Sequence, residues 1–89
     1  MIGKYGMMRQ TFLMENRPVE YQQLMREGKL NEHLEEVNEE ARRQMEAQMT
    51  ALEKNHPAPD RRNQLAWVQH MNSLRHMAEE VVLAQVVYA

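Results

Sequence analysis

Two long stretches of this 89-residue chain contain neither glycine nor proline and carry apolar side chains at the spacing of an α-helix. In the first, residues 30–55, the apolar positions are Leu30, Leu34, Val37, Ala41, Met45, Met49 and Leu52. In the second, residues 60–87, the repeating positions are Trp67, Met71, Leu74, Ala78, Val81, Gln85 and Tyr88. Steps of three and four place each set on one stripe of a helix, and the second set forms a heptad seam with one polar member. The spacing predicts helices over about 30–55 and 60–87, with Asp60 as N-cap of the second.

Two shorter helices are predicted before them, over about 3–16 and 18–27. Pro18 suits the first turn of a helix, where its missing N–H leaves no hydrogen bond unmade. Gly28 suits the left-handed position that follows a helix end. The residues between these points are mostly strong helix formers, so the chain is expected to be all-α.

The order of these helices predicts a fold. The short loop that contains Pro57 and Pro59 should fold the two long helices into a long antiparallel helical hairpin. The two short N-terminal helices would pack at its open end, and residues 1–89 would form a single helical domain. Trp67 is expected to anchor the hairpin, with Trp67→Ala costing about 3–5 kcal/mol if that residue is buried. The predicted hairpin seam comprises Trp67, Met71, Leu74, Ala78 and Val81.

A chain of this size has a thin core, which small elongated proteins often complete by self-association. The last segment, residues 81–89, is apolar on nearly every helical face, so either it is buried on all sides or it is a frayed tail. We expect a homo-oligomer, with a dimer favoured, in which Val82, Val86, Tyr88 and the face of the first helix extend the contact. Core packing at helical spacing is the favoured interpretation of the nine methionines, and Met7, Met8 and Met14 are the ones expected to form any exposed contact patch, because methionine also suits adaptable surfaces.

Composition excludes several classes of protein. The chain has no cysteine, so a disulfide scaffold and a thiolate metal site are excluded. No apolar run reaches the roughly 18 residues that a membrane span needs, and no signal-peptide stretch is recognisable, so the expected location is cytoplasmic. Ser73 is the only serine and follows no strand, and no glycine-rich phosphate loop is present. We therefore predict no enzyme activity, no catalytic residue and no cofactor.

A metal site is the sharpest catalytic alternative, because helical bundles build such sites from carboxylates and histidines. His76 and Glu79 are three residues apart, and the hairpin would bring His76 level with Glu39 and Glu40. The heptad register, however, places His76 on the outer face of its helix. No metal ligand is therefore predicted.

The basic side chains give a second alternative, nucleic-acid binding. The net charge is −2, which is not the strong basic footprint of a dedicated nucleic-acid binder. A helix-turn-helix built from the second and third helices would bring glutamates to the phosphates. The better candidates for phosphate contact are Lys4, Arg9 and Arg17 in the first-helix region and Arg61 and Arg62 in the loop. An ordinary solvated surface is the other interpretation of these five residues.

The order of certain residues resembles the transposon-encoded TnpV family over nearly the whole chain. The first part of the resemblance lies in Ile2-Gly3-Lys4-Tyr5-Gly6, Met8-Arg9, Phe12-Leu13, Arg17, Tyr21, Leu24, Gly28-Lys29-Leu30 and Glu32-His33-Leu34. The second lies in Gln64, Trp67-Val68, Met71-Asn72, Arg75, Ala78-Glu79-Glu80, Val82-Leu83 and Val87-Tyr88. The resemblance implies a small protein carried on bacterial mobile elements, with no established activity.

An accessory role in excision, or in control of the element, is what the resemblance implies for function. The resulting hypothesis is a non-enzymatic accessory module that acts through protein–protein contacts, with itself and with the element's recombinase. The alternative is a DNA-binding, excisionase-like accessory factor. Met7, Gln10 and Met14 stand where the family tends to carry basic residues, which weakens a DNA contact through the first helix.

Overall fold

The computed structural model describes residues 2–89, and this part of the chain is all-helical, without a β-strand. Four α-helices follow one another and a short π-helical segment continues the last of them. Their bounds are α1 Lys4–Asn16, α2 Pro18–Arg26, α3 Leu30–Asn55, α4 Gln64–Val82 and the π-helical segment Leu83–Val87.

The boundary between α2 and α3 follows from two residues that the sequence analysis singled out. Pro18 occupies the first turn of α2. Gly28 adopts φ +68°, and its N–H donates to the carbonyl of Met25 at 3.1 Å while the N–H of Lys29 donates to that of Leu24 at 2.9 Å. This pair of hydrogen bonds around a left-handed glycine is the Schellman motif, which ends α2 and lets α3 begin at Leu30.

The start of α4 differs from the prediction. Asp60 is not its N-cap, because it accepts hydrogen bonds from the backbone N–H of Arg62 at 2.9 Å and from the Arg62 guanidinium at 2.7 Å. Asn63 caps α4 instead, since its side-chain oxygen accepts the N–H of Ala66 at 3.3 Å. Both residues are suitable caps by type, and the local turn at residues 60–63 decides between them.

The end of α4 also departs from a regular heptad. The N–H of Tyr88 donates to the carbonyl of Leu83, five residues earlier, at 2.8 Å. A π-helical turn contains one residue more than an α-helical turn, so the inward position moves along the chain. Val87 is fully buried, whereas Gln85 and Tyr88, which the heptad placed on the seam, are exposed.

The N-terminal helix α1 runs in the direction opposite to α3. Its first N–H groups, those of Tyr5 and Gly6, meet the side chain of Asn38, and Arg9, one turn later, meets His33. The start of α1 is therefore level with Asn38, and the helix extends from there away from the loop that joins α3 to α4. The helix α2 contacts both α1 and α3.

The two long helices α3 and α4 also contact each other. Near the loop between them, His70 Nε2 donates to the carbonyl of His56 at 2.8 Å. The molecule measures 54 × 19 × 19 Å, so it is an elongated body that is thin in cross-section.

The core is confined to one end of this body. The buried apolar residues are Tyr5, Leu13, Leu34, Ala41, Leu74, Ala78, Val82 and Val87. Between Ala41 and Leu74 the structure buries no residue completely, and the apolar side chains Met45, Met49, Leu52, Trp67 and Met71 are only half-buried. Trp67, which was expected to anchor the hairpin, is therefore packed only in part, because no third helix covers this half of α3 and α4.

Candidate functional site

The start of α1 lies unusually close to α3. A Cβ atom on Gly6 would lie 2.8 Å from the carbonyl oxygen of Leu34, and one on Gly3 would lie 2.7 Å from the side chain of Asn38. The Asn38 oxygen accepts the N–H groups of Tyr5 at 3.0 Å and Gly6 at 3.2 Å. These N–H groups lie in the first turn of α1, so Asn38 acts as a cap supplied by another helix. Glycine is needed at position 6 because a side chain would meet the backbone of α3, whereas a side chain at position 3 would displace the Asn38 side chain that caps α1.

A second polar group joins α1 to α4. The Tyr5 hydroxyl donates to Glu79 Oε2 at 3.2 Å, and Lys4 Nζ lies 3.1 Å from the same oxygen. Burial and the negative charge of Glu79 raise the pKa of Tyr5 above its ordinary value. The tyrosine therefore stays protonated and acts as a hydrogen-bond donor in the core.

The third polar group surrounds Arg9, the one charged side chain that is buried among the described residues, at 6% exposed. Its Nη1 donates to the carbonyl oxygens of Val87 at 3.0 Å and Ala89 at 2.8 Å, and its Nε donates to His33 Nε2 at 3.3 Å. Burial lowers the pKa of Arg9, and burial together with the positive charge of Arg9 lowers the pKa of His33. The imidazole is therefore held neutral, because Nε2 must accept a hydrogen bond from a cation.

These three groups of polar side chains come from distant parts of the chain and hold α1 against α3 and α4. We call them together the structural joint. Sequence reasoning missed Asn38, the pairing role of Glu79 and the inward position of Val87. Outside the resemblance to the family, Glu79 was considered only beside His76 as a possible metal ligand, and His33 was given no role. No local pattern identifies a side chain that caps a different helix, so only the resemblance to a family, which includes Gly3, Gly6 and Arg9, marked part of this joint.

The structure separates the five basic residues predicted to contact phosphates. Arg9 is buried in the joint, so its guanidinium is not available to a phosphate. Lys4 pairs with Glu79, and Arg17 lies 3.7 Å from Glu20 and 5.1 Å from the Phe12 ring centre. At the loop, Arg62 pairs with Asp60 at 2.7 Å and Arg61 lies 4.9 Å from the centre of the Trp67 ring.

These cations also lie in separate parts of the molecule. Lys4 is near Asn38, whereas Arg61 and Arg62 follow the end of α3 at Asn55, which is about 25 Å farther along that helix at 1.5 Å per residue. The two groups do not form one basic surface.

The predicted contact residues of α4 fall into three classes. Leu74, Ala78 and Val82 are buried within the fold, and Trp67, Met71, Val81 and Val86 are half-buried. Tyr88 is 42% exposed and its ring centre lies 5.3 Å from that of Phe12, where the two rings border an open groove with Met8 and Thr11. Of the methionines expected to form a patch, Met7 and Met14 are more than half exposed and Met8 packs against the core.

The arrangement offers little for chemistry. In residues 2–89, no three His, Asp or Glu side chains converge closely enough to hold a metal ion. His76 is exposed, while Glu39 and Glu40 pair with Arg42 and Arg43 on their own helix. None of the described helices has both the length and the apolar character needed to cross a membrane.

Comparison with known proteins places the chain in a family. The family described as "Transposon-encoded protein TnpV" matches residues 1–87 of the 89. No curated protein and no solved structure matches the chain. The family match spans essentially the whole sequence. It includes every residue of the structural joint except Ala89, which lies after the matched range. The chain therefore belongs to the TnpV family of transposon-encoded proteins.

Proposed function

We propose that this protein is a non-enzymatic accessory protein of a bacterial mobile element, cytoplasmic in location, that acts through protein–protein contacts and forms a homo-oligomer, with a dimer favoured. Membership of a transposon-encoded family supports the setting. The element's recombinase is the proposed partner in that setting.

The observation that carries the proposal is the uncovered half of α3 and α4. Met45, Met49, Leu52, Trp67 and Met71 remain half-buried, although they continue the apolar stripes whose members Leu34, Ala41, Leu74 and Ala78 are buried at the other end. Burying apolar surface against a partner stabilises the complex by about 25 cal/mol for every Å² removed from water. A protein whose core is well packed at one end and thin at the other is suited to association through the thin end.

The proposed arrangement of the helices is an antiparallel hairpin of α3 and α4, with α1 and α2 packed at its open end. Two contacts support it. His56 meets His70 next to the connecting loop, and Ala41 and Val82 share one apolar cluster at the far side. The sequence distance between contacting residues grows from the loop outwards, as it does in an antiparallel pair.

A non-enzymatic role is supported by how the polar side chains are used. Lys4, Tyr5 and Glu79 hold α1 to α4, and Arg9 and His33 hold α1 to α3 and the end of the chain. Groups that are engaged with one another in this way position helices and do not face an enclosed cavity.

The excisionase-like alternative receives less support, because Arg9 is buried and the remaining cations lie in two separate groups. Fluorescence anisotropy of labelled DNA from the element's ends, measured across a salt series, tests it. We expect no sub-micromolar binding at moderate salt. Tight binding that falls steeply as salt rises would show phosphate contacts and favour the alternative.

Self-association is tested by sedimentation velocity on the purified chain over about 1 to 300 µM, a range that brackets a micromolar dissociation constant. The expected result is a concentration-dependent shift from monomer to dimer. Titration of the element's recombinase against labelled protein then tests the second contact. A chain that remains monomeric throughout and does not bind the recombinase would contradict the proposal.

A further inference from the structure

One contact of the structural joint depends on the protonation state of a histidine. Arg9 Nε lies 3.3 Å from His33 Nε2, and a guanidinium can only donate hydrogen bonds. Nε2 is therefore the unprotonated nitrogen of the ring, and the contact exists only while His33 is neutral. A proton on Nε2 would remove the acceptor and set two cations side by side.

The same guanidinium holds residues 87–89 against α1. Arg9 Nη1 donates to the carbonyl oxygens of Val87 at 3.0 Å and of Ala89 at 2.8 Å. The guanidinium is planar, so the hydrogen bond at Nε fixes the direction in which Nη1 points. Loss of the contact with His33 would therefore weaken both bonds to the carbonyl groups.

Tyr88 and Ala89 are the part of the chain that such a loss would release. The side chain of Val87 is fully buried and packs in the apolar core cluster, so the position of Val87 does not depend on Arg9 alone. Tyr88 is 42% exposed and rests against Phe12, with 5.3 Å between the two ring centres. Moving Tyr88 away from Phe12 would therefore expose little buried surface.

The groove beside His33 carries carboxylates that favour a charged ring. The half-buried ring lines an open groove between α2 and α3, together with Glu32 and Glu36. The negative charge of Glu20 acts on the ring from α2. A protonated ring would therefore turn away from the guanidinium and towards the groove. The charged groups around His33 are Arg9 on α1, Glu20 on α2, Lys29 before α3, and Glu32 and Glu36 on α3.

We infer that His33 and Arg9 form an acid-sensitive latch, in which protonation of the imidazole releases Tyr88 and Ala89 from α1. The latch is closed while the neutral ring supports the guanidinium. It opens when the charged ring moves towards the carboxylates and the guanidinium loses its orientation. The inference goes beyond the proposed function and does not depend on self-association, because the latch belongs to a single copy of the chain.

The latch opens as the pH falls. Burial and the charge of Arg9 hold the pKa of His33 in the closed form below its ordinary value of about 6.5. In the open form the ring is free of Arg9 and binds the proton first, so protonation favours the open form. The closed form is therefore lost as the pH falls below about 6.5. The ratio of open to closed rises at most about tenfold for each unit that separates the two pKa values.

Nuclear magnetic resonance of the full chain between about pH 7.5 and 5, where carboxylates stay ionised, tests the latch. The ring signals of His33 report its protonated fraction, and the signals of Tyr88 and Phe12 report the latch. The Tyr88 and Phe12 signals should move in proportion to that fraction. H33Q should abolish the movement, because its amide oxygen can accept from Arg9 but does not titrate. H76Q, at an exposed histidine, should behave as the parent chain does.

Other results of this titration would overturn the latch. Constant signals of Tyr88 and Phe12 while His33 titrates would show that the joint yields at the imidazole alone. The same movement in H33Q would assign it to another group. An imidazole that stays neutral down to about pH 5 would leave the latch without a trigger, because carboxylates begin to titrate below that pH.

A second test uses the reciprocity of coupling between two sites. Y88A removes the contact with Phe12 but changes neither the imidazole nor the carbonyl groups that Arg9 binds. The pKa of His33 should therefore rise towards its ordinary value in Y88A. It should stay unchanged in L65A, at a side chain that is 69% exposed at the start of α4. Far-UV circular dichroism checks that both variants keep the helical content of the parent chain. An unchanged pKa of His33 in Y88A would overturn the coupling.

Discussion

At the scale of single residues, the fold depends on close approach and on complete hydrogen bonding at one end. Gly3 and Gly6 allow α1 to touch α3, and Asn38 satisfies the N–H groups that this approach would otherwise leave without partners. The guanidinium of Arg9 donates hydrogen bonds to the carbonyl groups of Val87 and Ala89, which follow α4. No buried side-chain nitrogen or oxygen among the described residues lacks a hydrogen-bond partner. Small changes at these positions should therefore have large effects.

Gly6→Ala should destabilise the protein although alanine is the better helix former. The new Cβ would lie 2.8 Å from the Leu34 carbonyl oxygen, and relieving such an overlap costs about 1–3 kcal/mol against a gain of about 1 kcal/mol in helix propensity. Urea unfolding measures the difference. Gly28→Ala is the comparison, because no atom lies within 4 Å of its added Cβ and only the strain of φ +68° is tested. Equal stability of Gly6→Ala and the parent chain would contradict the close approach.

Arg9→Met should reduce the free energy of unfolding by about 1.5–3 kcal/mol, because hydrogen bonds from a charged donor to two carbonyls are lost. Arg17→Met is the matched control, since the Arg17 side chain is 42% exposed and its ion pair with Glu20 is long. Surface ion pairs contribute about 0–1 kcal/mol, so this control should change little. Similar losses in both variants would show that the burial of Arg9 is not important.

Stability should decrease as the pH falls below about 6.5, the ordinary pKa of histidine. The folded-state pKa of His33 lies below its unfolded value, because of burial and the charge of Arg9, with Glu20 and Glu36 opposing that effect. The unfolded chain therefore binds the proton first, and stability is lost from the unfolded pKa down to the folded one. His33→Gln should remove this part of the pH dependence of urea unfolding, whereas the exposed His76→Gln should retain it.

At the scale of helices, sequence signals set most ends, and local competition sets the rest. The helix α2 begins at Pro18 and ends before Gly28, as the backbone preferences of these two residues predict. Asp60 and Asn63 are both good N-caps by type, but the ion pair of Asp60 with Arg62 stabilises a turn that delays α4 by one helical turn. The π-helical segment similarly replaces the expected heptad after Val82.

Asn63→Ala should therefore destabilise α4 more than Asp60→Ala does. Loss of an N-cap costs about 1 kcal/mol, whereas Asp60 contributes one exposed ion pair and one turn hydrogen bond. Thermal unfolding followed by circular dichroism compares the two variants. A larger effect of Asp60→Ala would indicate that the helix begins earlier, at the position that the sequence favours.

At the scale of the whole molecule, the 54 Å length and the position of the core divide the protein into a well-packed end and a thin end. The well-packed end contains α1, α2, the first part of α3 and the last part of α4. The thin end contains the loop and the adjoining parts of α3 and α4. Because Trp67 is only half-buried there, Trp67→Ala should cost less than the 3–5 kcal/mol of a fully buried tryptophan.

Hydrogen exchange should reveal this division. In dilute protein, amides of residues 45–54 and 66–72 should exchange faster than those of residues 34–41 and 76–82, because local opening of the thin end exposes little buried apolar area. At concentrations where dimers form, the thin end should gain protection. Uniform protection of both ends in the dilute monomer would contradict the uneven core.

The sequence by itself determined the helical class, the approximate bounds of four helices and the membership of a family. These properties follow from the 3.6-residue spacing of apolar side chains, from backbone preferences at Pro18 and Gly28, and from residue order, all of which are local or linear.

Only the tertiary structure decided which side chains are buried and which polar groups meet. Arg9 has the sequence character of a surface residue but lies in the core, because Val87, Ala89 and His33 converge on it from distant positions. Trp67 has the character of a core residue but is not fully buried, because α1 begins level with Asn38 and does not cover the part of α4 that carries Trp67. Burial depends on which helix covers which stripe, and that depends on contacts between residues far apart in the chain.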